Sequence, residues 1–118
     1  MPKSIDATSY YQATATPSPS HPPLAGDIST DVCVIGAGYT GLSAALELAQ
    51  AGYRVVVLEA QEVGYGASGR NGGQICTGFS SGQGKIEAQI GKDDARKCFA
   101  LAEDSKQLLK DRIARHSI

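Results

Sequence analysis

The chain has 118 residues and a net charge of −1, with 11 basic and 12 acidic side chains. No cluster of basic residues predicts a nucleic-acid surface, and no apolar run approaches the roughly 20 residues that a membrane span requires. The three cysteines, Cys33, Cys76 and Cys98, form no C-x-x-C pair and have no histidine at ligand spacing. This argues against a metal site and fits a reducing cytoplasm. Cys33 falls within the first predicted strand and is expected to be a small core residue.

The first 29 residues are predicted to form an extended, Pro/Ser-rich N-terminal arm. The segment Pro17-Ser-Pro-Ser-His-Pro-Pro23 contains too much proline for a helix or a central strand and is typical of polyproline-like structure. Ser9-Tyr10-Tyr11 is its only apolar anchor. The arm therefore either lays its tyrosines on the protein or a partner, or is a mobile tail. Met1 to Asp6 lack the apolar region of a secretory signal.

Residues 30 to 59 follow the pattern of a strand, a glycine turn, a helix and a second strand. The apolar run Val32 to Ile35 leads into a G-x-G-x-x-G turn, and Gly52 stands where glycine commonly ends a helix. A second apolar run, Val55 to Leu58, is typical of a parallel strand buried on both faces. The stretch therefore predicts a nucleotide-binding βαβ unit, whose helix carries Leu42, Ala45, Leu46 and Ala49 on one face.

The glycine turn carries the first part of the predicted chemistry. Gly36 permits the tight turn, Gly38 lets the backbone approach a pyrophosphate, and Gly41 lets the helix pack close to the strand. The backbone amides of Tyr39 and Thr40 can face the pyrophosphate at the positive end of the helix. No basic side chain is needed for this binding.

An acid stands at the end of the second predicted strand. The spacing from Gly41 to Glu59, with residues 42 to 58 between them, brings the carboxylate beside the glycine turn. Glu59 would accept hydrogen bonds from ribose hydroxyls, and its charge would repel a 2′-phosphate, which argues against NADP. A glycine turn alone is a weak signal, and the alternative is a βαβ unit without a ligand. The flanking strands and helix favour nucleotide binding.

Five glycines fall between positions 64 and 73, with Ser68, Arg70 and Asn71 among them. So few side chains cannot hold a loop by their own packing, and such loops usually present backbone N–H groups to an anionic or planar ligand. The loop is expected at the sheet edge where the nucleotide lies. Arg70 either pairs with a phosphate or ties the loop to a nearby carboxylate. The alternative for the whole loop is a flexible connection.

Beyond residue 75 the pattern predicts scaffold. A short helix is expected at Ile86 to Ile90, and a longer one from Asp93, with Asp93 or Asp94 as its cap. The apolar residues of the longer helix recur at helical spacing and need a sheet or a second domain to cover them. Two parallel strands also leave both sheet edges open. We therefore expect the chain to be the N-terminal part of a longer protein, which needs its C-terminal portion to complete the fold.

Three segments together resemble one family of flavoenzymes. They are Val34-Ile-Gly-Ala-Gly-Tyr-Thr-Gly-Leu-Ser-Ala-Ala45, Val57-Leu-Glu-Ala60 and Gly66-Ala-Ser-Gly-Arg-Asn-Gly-Gly73. They look like the N-terminal end of the D-amino-acid oxidase-like FAD-dependent oxidoreductases. The third segment and the Ser9-Tyr10-Tyr11 leader are most similar to γ-glutamylputrescine oxidases. The resemblance covers nearly the whole chain, but only the first part of such an enzyme.

The resemblance implies FAD as the cofactor. The glycine turn would bind its pyrophosphate mainly through backbone, Glu59 would hold the adenosine ribose, and Ala60 would lie beside the adenine end. Gln74 and Ile75 would approach the isoalloxazine. The path between these ends would be lined by Ala67, Ser68, Asn71, Gly72 and Gly73. The predicted cofactor-binding residues are Gly36, Gly38, Tyr39, Thr40, Gly41, Glu59, Ala60, Ala67, Ser68, Arg70, Asn71, Gly72 and Gly73.

The predicted fold class is α/β, an incomplete Rossmann-like FAD-binding βαβ unit at the N-terminus of a larger two-domain flavoenzyme. Residues 30 to 118 would be the N-terminal part of its FAD-binding domain. The resemblance implies oxidation of a C–N bond in a small-molecule amine or amino acid, with hydride transfer to FAD and release of hydrogen peroxide. No residue here is a convincing acid, base or nucleophile, so no catalytic residue is assigned. The alternatives are a non-catalytic nucleotide-binding module and an inactive product of a truncated gene.

Overall fold

A computed structural model of the protein describes residues 8–16 and 21–118. The expectations for Met1 to Asp6 and for Pro17 to Ser20 lie outside these residues. The described chain belongs to two compact units, Met1–Gly72 and Gly73–Ile118. In chain order the elements are α1 (Tyr10–Thr14), β1 (Val32–Ile35), α2 (Tyr39–Gln50), β2 (Val55–Leu58), a 3₁₀ turn (Ala67–Gly69), α3 (Gln83–Ile90) and α4 (Lys92–His116).

The first unit contains the predicted βαβ unit. β1 and β2 pair in parallel, with Val32 opposite Val55 and Ile35 opposite Leu58. A parallel pair requires a crossover connection, which α2 provides. In the described residues these two strands make up the sheet, as the two apolar runs predict.

Asp31 and Arg54 fasten the two strands together where they begin. The Arg54 guanidinium lies 2.8 Å from Oδ1 of Asp31, and the Arg54 backbone N–H donates to Oδ2 at 2.9 Å. The Arg54 guanidinium holds the pKa of the Asp31 carboxyl below its ordinary value. Both side chains are exposed, so the pair contributes little to the stability of the fold.

The two faces of the sheet have different surroundings. Val32 and Val34 are half-buried, whereas Cys33 and Ile35 are exposed, Ile35 by 87%. The expectation that Cys33 is a core residue is wrong, because strand alternation turns its side chain away from the face that carries Val34 and α2.

Glycines set both ends of α2. A Cβ on Gly41 would overlap the carbonyl oxygen of Gly36 and press on Val34 Cγ1 at 3.3 Å, so only glycine lets the helix lie this close to β1. At the other end Gly52 has a φ of 92°. The N–H groups of Gly52 and Tyr53 donate to carbonyls of the last helical turn, a Schellman arrangement that confirms the predicted stop.

Part of the predicted extended arm is helical instead. Ser9 and Gln12 form a capping box around α1: the Gln12 N–H donates to Ser9 Oγ at 3.2 Å, and the Ser9 N–H donates to Gln12 Oε1 at 3.0 Å. These reciprocal bonds satisfy two donors at the start of the helix. The S-x-x-Q pattern therefore favours a helix in the part of the arm that precedes the proline-rich segment.

The second unit is a pair of helices, α3 and α4, joined at Gly91, whose φ is 82°. Both predicted helices are present, although α3 begins at Gln83 and α4 at Lys92. The cap of α4 is Gly91, and Asp93 and Asp94 lie in its first turn, so the expected carboxylate cap is wrong. Their charges instead favour the positive helix end and pair with cations one turn on.

The longer helix keeps much of its apolar surface in contact with solvent. Ala95 is its fully buried residue, and Phe99 and Leu101 remain 47% and 64% exposed. Among the helices of the described residues, none combines the length and the apolarity that a membrane crossing demands.

We expect Gly41→Ala to destabilise the protein by roughly 1–3 kcal/mol, because the new methyl group must push α2 away from β1. Thermal unfolding of the full-length gene product measures this loss. Gly84→Ala is the matched control, since a Cβ there meets no atom within 4 Å and alanine favours the helix. Equal unfolding temperatures for Gly41→Ala and the wild type would contradict the close packing.

Candidate functional site

The candidate site begins where β1 ends and the chain turns into α2. Gly36 adopts a φ of 100°, which a residue with a side chain rarely reaches. Its N–H donates to the carbonyl of Leu58 at 2.7 Å and extends the strand ladder by one bond. The next residue, Ala37, is 2% exposed. The turn is therefore hydrogen-bonded to the end of β2 and partly buried against it.

Glu59 lies against this turn, where its spacing from Gly41 predicts it. Its Oε2 accepts a hydrogen bond from the Ala37 N–H at 2.7 Å, and Oε1 accepts one from the Gln61 N–H at 3.1 Å. These two N–H groups, Ala37 first, hold the pKa of the Glu59 carboxyl below its ordinary value. The carboxylate is thus ionised at neutral pH, and each oxygen keeps a lone pair for another donor.

The start of α2 presents backbone donors. Its N-cap is Gly38, which has no side chain to cap the helix. The Tyr39 N–H donates instead to Ser68 Oγ at 3.0 Å. Within the described residues, the N–H groups of Gly38, Thr40 and Gly41 donate no hydrogen bond. Unpaired donors at the positive end of a helix form a site suited to an anion.

The loop at 64–71 is held against the turn by hydrogen bonds. The Gly64 N–H donates to the Ala37 carbonyl at 2.9 Å, and a Cβ on Gly69 would overlap the carbonyl oxygen of Gly64. Asn71 Nδ2 donates to the carbonyl of Ser68 at 2.8 Å and lies 3.2 Å from the Tyr39 hydroxyl. The few side chains of the loop therefore order it through polar contacts.

Arg70 contacts its own loop. Its Nε donates to the Tyr65 carbonyl at 3.0 Å, and its guanidinium lies 5.2 Å from the centre of the Tyr65 ring. A cation over an aromatic face is attractive. This contact with Tyr65 was not among the two roles predicted for Arg70.

Most predicted cofactor residues come together in the first unit. The unit Met1–Gly72 contains the glycine turn, the start of α2, Glu59, Ala60 and the loop as far as Gly72. Gly73, like Gln74 and Ile75, belongs to the second unit. In the described residues no group of three or more His, Cys, Asp or Glu side chains could hold a metal.

Sequence reasoning missed the residues that line a cavity beside Glu59. This cavity, of about 1160 Å³, is bordered by Glu59, Ala60 and Glu62 and also by Tyr11 and Gln12 of α1. Gln12 Nε2 donates to Glu62 Oε2 at 3.0 Å. The S-x-x-Q capping pattern at Ser9 is the signal that predicts a helix there, although it does not predict where the helix docks.

Comparison with known proteins relates this sequence to a family. Residues 31–118 match the DAO family, described as FAD dependent oxidoreductase. The chain is 46% identical to gamma-glutamylputrescine oxidoreductase of Escherichia coli (strain K12) over 111 residues, which are 94% of this chain and 26% of that protein. It is also 46% identical to the probable oxidoreductase OrdL of Haemophilus influenzae, over 93% of this chain and 26% of OrdL.

A third relative, the probable oxidoreductase OrdL of Rhizobium meliloti, is 40% identical over 93% of this chain. The chain thus spans about a quarter of the length of these curated relatives. No solved structure matches it.

The contacts of Glu59 predict a specific dependence of stability on pH. Because its folded-state pKa is lowered, the carboxylate stabilises the fold above the ordinary glutamate pKa of about 4.3. That contribution is lost as the pH falls through the lowered pKa. Unfolding temperatures measured from pH 7 to pH 3 should therefore converge for the wild type and Glu59→Gln at the acid end. A constant difference across the range would contradict this, and Asp104→Asn, on α4, is the control.

Proposed function

Because the chain belongs to the DAO family of FAD dependent oxidoreductases, we propose that it forms the N-terminal, FAD-binding part of an enzyme that oxidises a C–N bond. The observation that carries the proposal is that two features lie at the same sheet edge: backbone N–H groups at the start of α2 that have no acceptor in the described part of the chain, and the ionised carboxylate of Glu59. These groups suit the two parts of an ADP moiety: the pyrophosphate and the ribose.

The start of α2 takes the pyrophosphate in this proposal. Gly38, Thr40 and Gly41 offer backbone N–H groups, and the helix dipole favours a negative charge there. A Cβ on Gly38 would approach Ser68 Oγ to 2.9 Å, so glycine keeps the backbone open between helix and loop. Gly36 contributes the turn itself. The Tyr39 N–H donates to Ser68 Oγ and so fastens the loop to the start of the helix.

Glu59 takes the adenosine ribose. Its two oxygens are oriented by the N–H groups of Ala37 and Gln61, and their remaining lone pairs accept from ribose hydroxyls. The negative charge disfavours a 2′-phosphate, which favours FAD over NADP. Ala60 follows Glu59 along the cavity and has no side chain that would exclude an adenine.

The loop carries the cofactor onward from the pyrophosphate. Ala67, Ser68, Asn71, Gly72 and Gly73 offer small side chains and backbone groups for this path. Asn71 orders the loop through the carbonyls of Ala67 and Ser68, and Arg70 orders it through Tyr65. We therefore assign Arg70 a positioning role.

The reaction we propose is amine oxidation. Bound FAD would supply the acceptor for the hydride of the substrate C–H: the amine would lose that hydride and an N–H proton to give an imine, which water would hydrolyse, and oxygen would be reduced to hydrogen peroxide. This chain supplies binding and orientation, and no acid or base of its own is assigned to the chemistry. The similarity to a gamma-glutamylputrescine oxidoreductase and the Ser9-Tyr10-Tyr11 leader favour a γ-glutamylated amine as substrate.

The full-length gene product is expected to purify with bound FAD, identified by the absorbance spectrum and by chromatography of the released nucleotide. Glu59→Gln should weaken FAD binding roughly 10- to 100-fold, the usual effect of losing charge-assisted hydrogen bonds. Titration of the apoprotein with FAD measures both affinities, and Asp104→Asn is the control. Released NAD, or an unchanged dissociation constant in Glu59→Gln, would contradict the assignment.

Substrate choice is tested by peroxide release. We expect the full-length protein to release hydrogen peroxide with γ-glutamylputrescine and little with glycine, sarcosine or D-alanine. A coupled peroxidase assay over these four compounds, repeated with added catalase, measures it. Faster turnover of sarcosine or D-alanine would overturn the substrate and leave the flavoenzyme assignment standing.

A further inference from the structure

Gln12 makes two contacts with one side-chain amide. Its Oε1 accepts the Ser9 N–H at 3.0 Å and closes the capping box of α1. Its Nε2 donates to Glu62 Oε2, also at 3.0 Å, across 50 positions of sequence. The residue that stabilises the short helix therefore also ties it to the segment that follows β2.

The tied helix borders the same cavity as the proposed ribose acid. Tyr11, Gln12 and Ala15 line it from one side, and Glu59 and Ala60 line it from the other. Its volume of about 1160 Å³ is sufficient for a small-molecule ligand, since such sites usually hold about 300–1,000 Å³. One cavity thus has walls from both the N-terminal arm and the βαβ unit.

The charge of this cavity is one-sided. Among the described residues that line it, Glu59 and Glu62 are the carboxylates and His21 is the imidazole, and no lysine or arginine is present. A phosphate would find no lysine or arginine here, whereas ribose hydroxyls and the amino group of a base find carboxylate acceptors. Tyr11 adds an aromatic side chain, 39% exposed, of the kind on which bases stack.

We propose that α1 is a wall of the pocket for the adenosine end of FAD, held in place by a latch, the hydrogen bond between Gln12 and Glu62. The inference rests on the proposed function and adds to it a positioning residue outside the nucleotide motif. Gln12 acts through Glu62 and the placement of Tyr11. Loss of the latch lets α1 move off the pocket and lets FAD leave faster.

Gln12→Glu removes the contact with Glu62 alone, because glutamate still accepts the Ser9 N–H in a capping box. It loses the donor to Glu62 and places a second carboxylate opposite it. We expect the rate of FAD release from the full-length holoenzyme to rise roughly 3- to 10-fold. Recovery of flavin fluorescence on release measures the rate at neutral pH.

The exchanged pair supplies the rescue. In Gln12→Glu combined with Glu62→Gln, the amide donates in the opposite direction, so the release rate should return close to the wild-type value. General damage to the fold would not be repaired by a second substitution. Thr14→Ala is the matched control, because its hydroxyl bonds only to the Tyr10 carbonyl within α1 and lies outside the cavity lining.

The outcomes separate the latch from the FAD assignment. Wild-type protein with FAD and an unchanged rate in Gln12→Glu overturns the latch, as does a double variant that releases FAD as fast as the single one. Wild-type protein that carries no FAD overturns the proposed function itself. A faster single variant with rescue in the double variant, and wild-type behaviour of Thr14→Ala, supports the latch.

Discussion

The first unit depends on one peptide segment, at Ala37, that is bonded on both sides. Its N–H donates to Glu59 at 2.7 Å, and its carbonyl accepts from Gly64 at 2.9 Å. The parallel register brings Leu58 opposite Ile35, so the residues just beyond the two strands meet. Because Ala37 is buried, these bonds couple the strand register, the acid and the loop through a residue without side-chain chemistry.

At the start of α2, the loop supplies a hydrogen-bond acceptor that the N-cap residue lacks. A serine or aspartate at the N-cap would satisfy the first amides from within the helix, and Gly38 cannot. Ser68 satisfies one amide from the loop, which fastens the loop to the helix. The amides that stay unpaired in the described chain are the ones that an anion can use. A serine or aspartate at position 38 would occupy amides that an anion could otherwise use, and it would compete with Ser68 for the bond that holds the loop.

The N-terminal arm has a larger part in this arrangement than its composition indicates. Its helix is only five residues long, too short to be stable without help. The capping box and the contact with Glu62 supply that help. An arm ahead of the nucleotide motif thereby contributes a wall beside the acid, and the pocket gains a boundary that the βαβ unit alone does not have.

Local patterns predicted the strands and α2, α3 and α4, but not α1, which lies in the arm that was predicted to be extended. The apolar runs indicated both strands, and glycine spacing indicated the turn and the end of α2. These signals are short-range, since they depend on hydrophobic period and on backbone conformations that only glycine readily adopts. The capping of α4 was predicted wrongly because a glycine with positive φ at position 91 competes with the aspartates as the helix start. Cys33 was misplaced because strand alternation leaves open which face is covered.

The sequence by itself determined the βαβ unit, the place of Glu59 beside the glycine turn and the resemblance to a flavoenzyme family. The first two depend on spacing within residues 30 to 59, and the resemblance depends on short motifs between Val34 and Gly73. Only the tertiary structure decided that Ser68 caps α2, that Arg70 lies over Tyr65, and that α1 docks at Glu62. The contacts of Ser68 and α1 join segments 29 to 50 positions apart through single polar side chains. Hydrophobic periodicity carries no information about such pairings, because a hydrogen bond depends on where two segments meet in space.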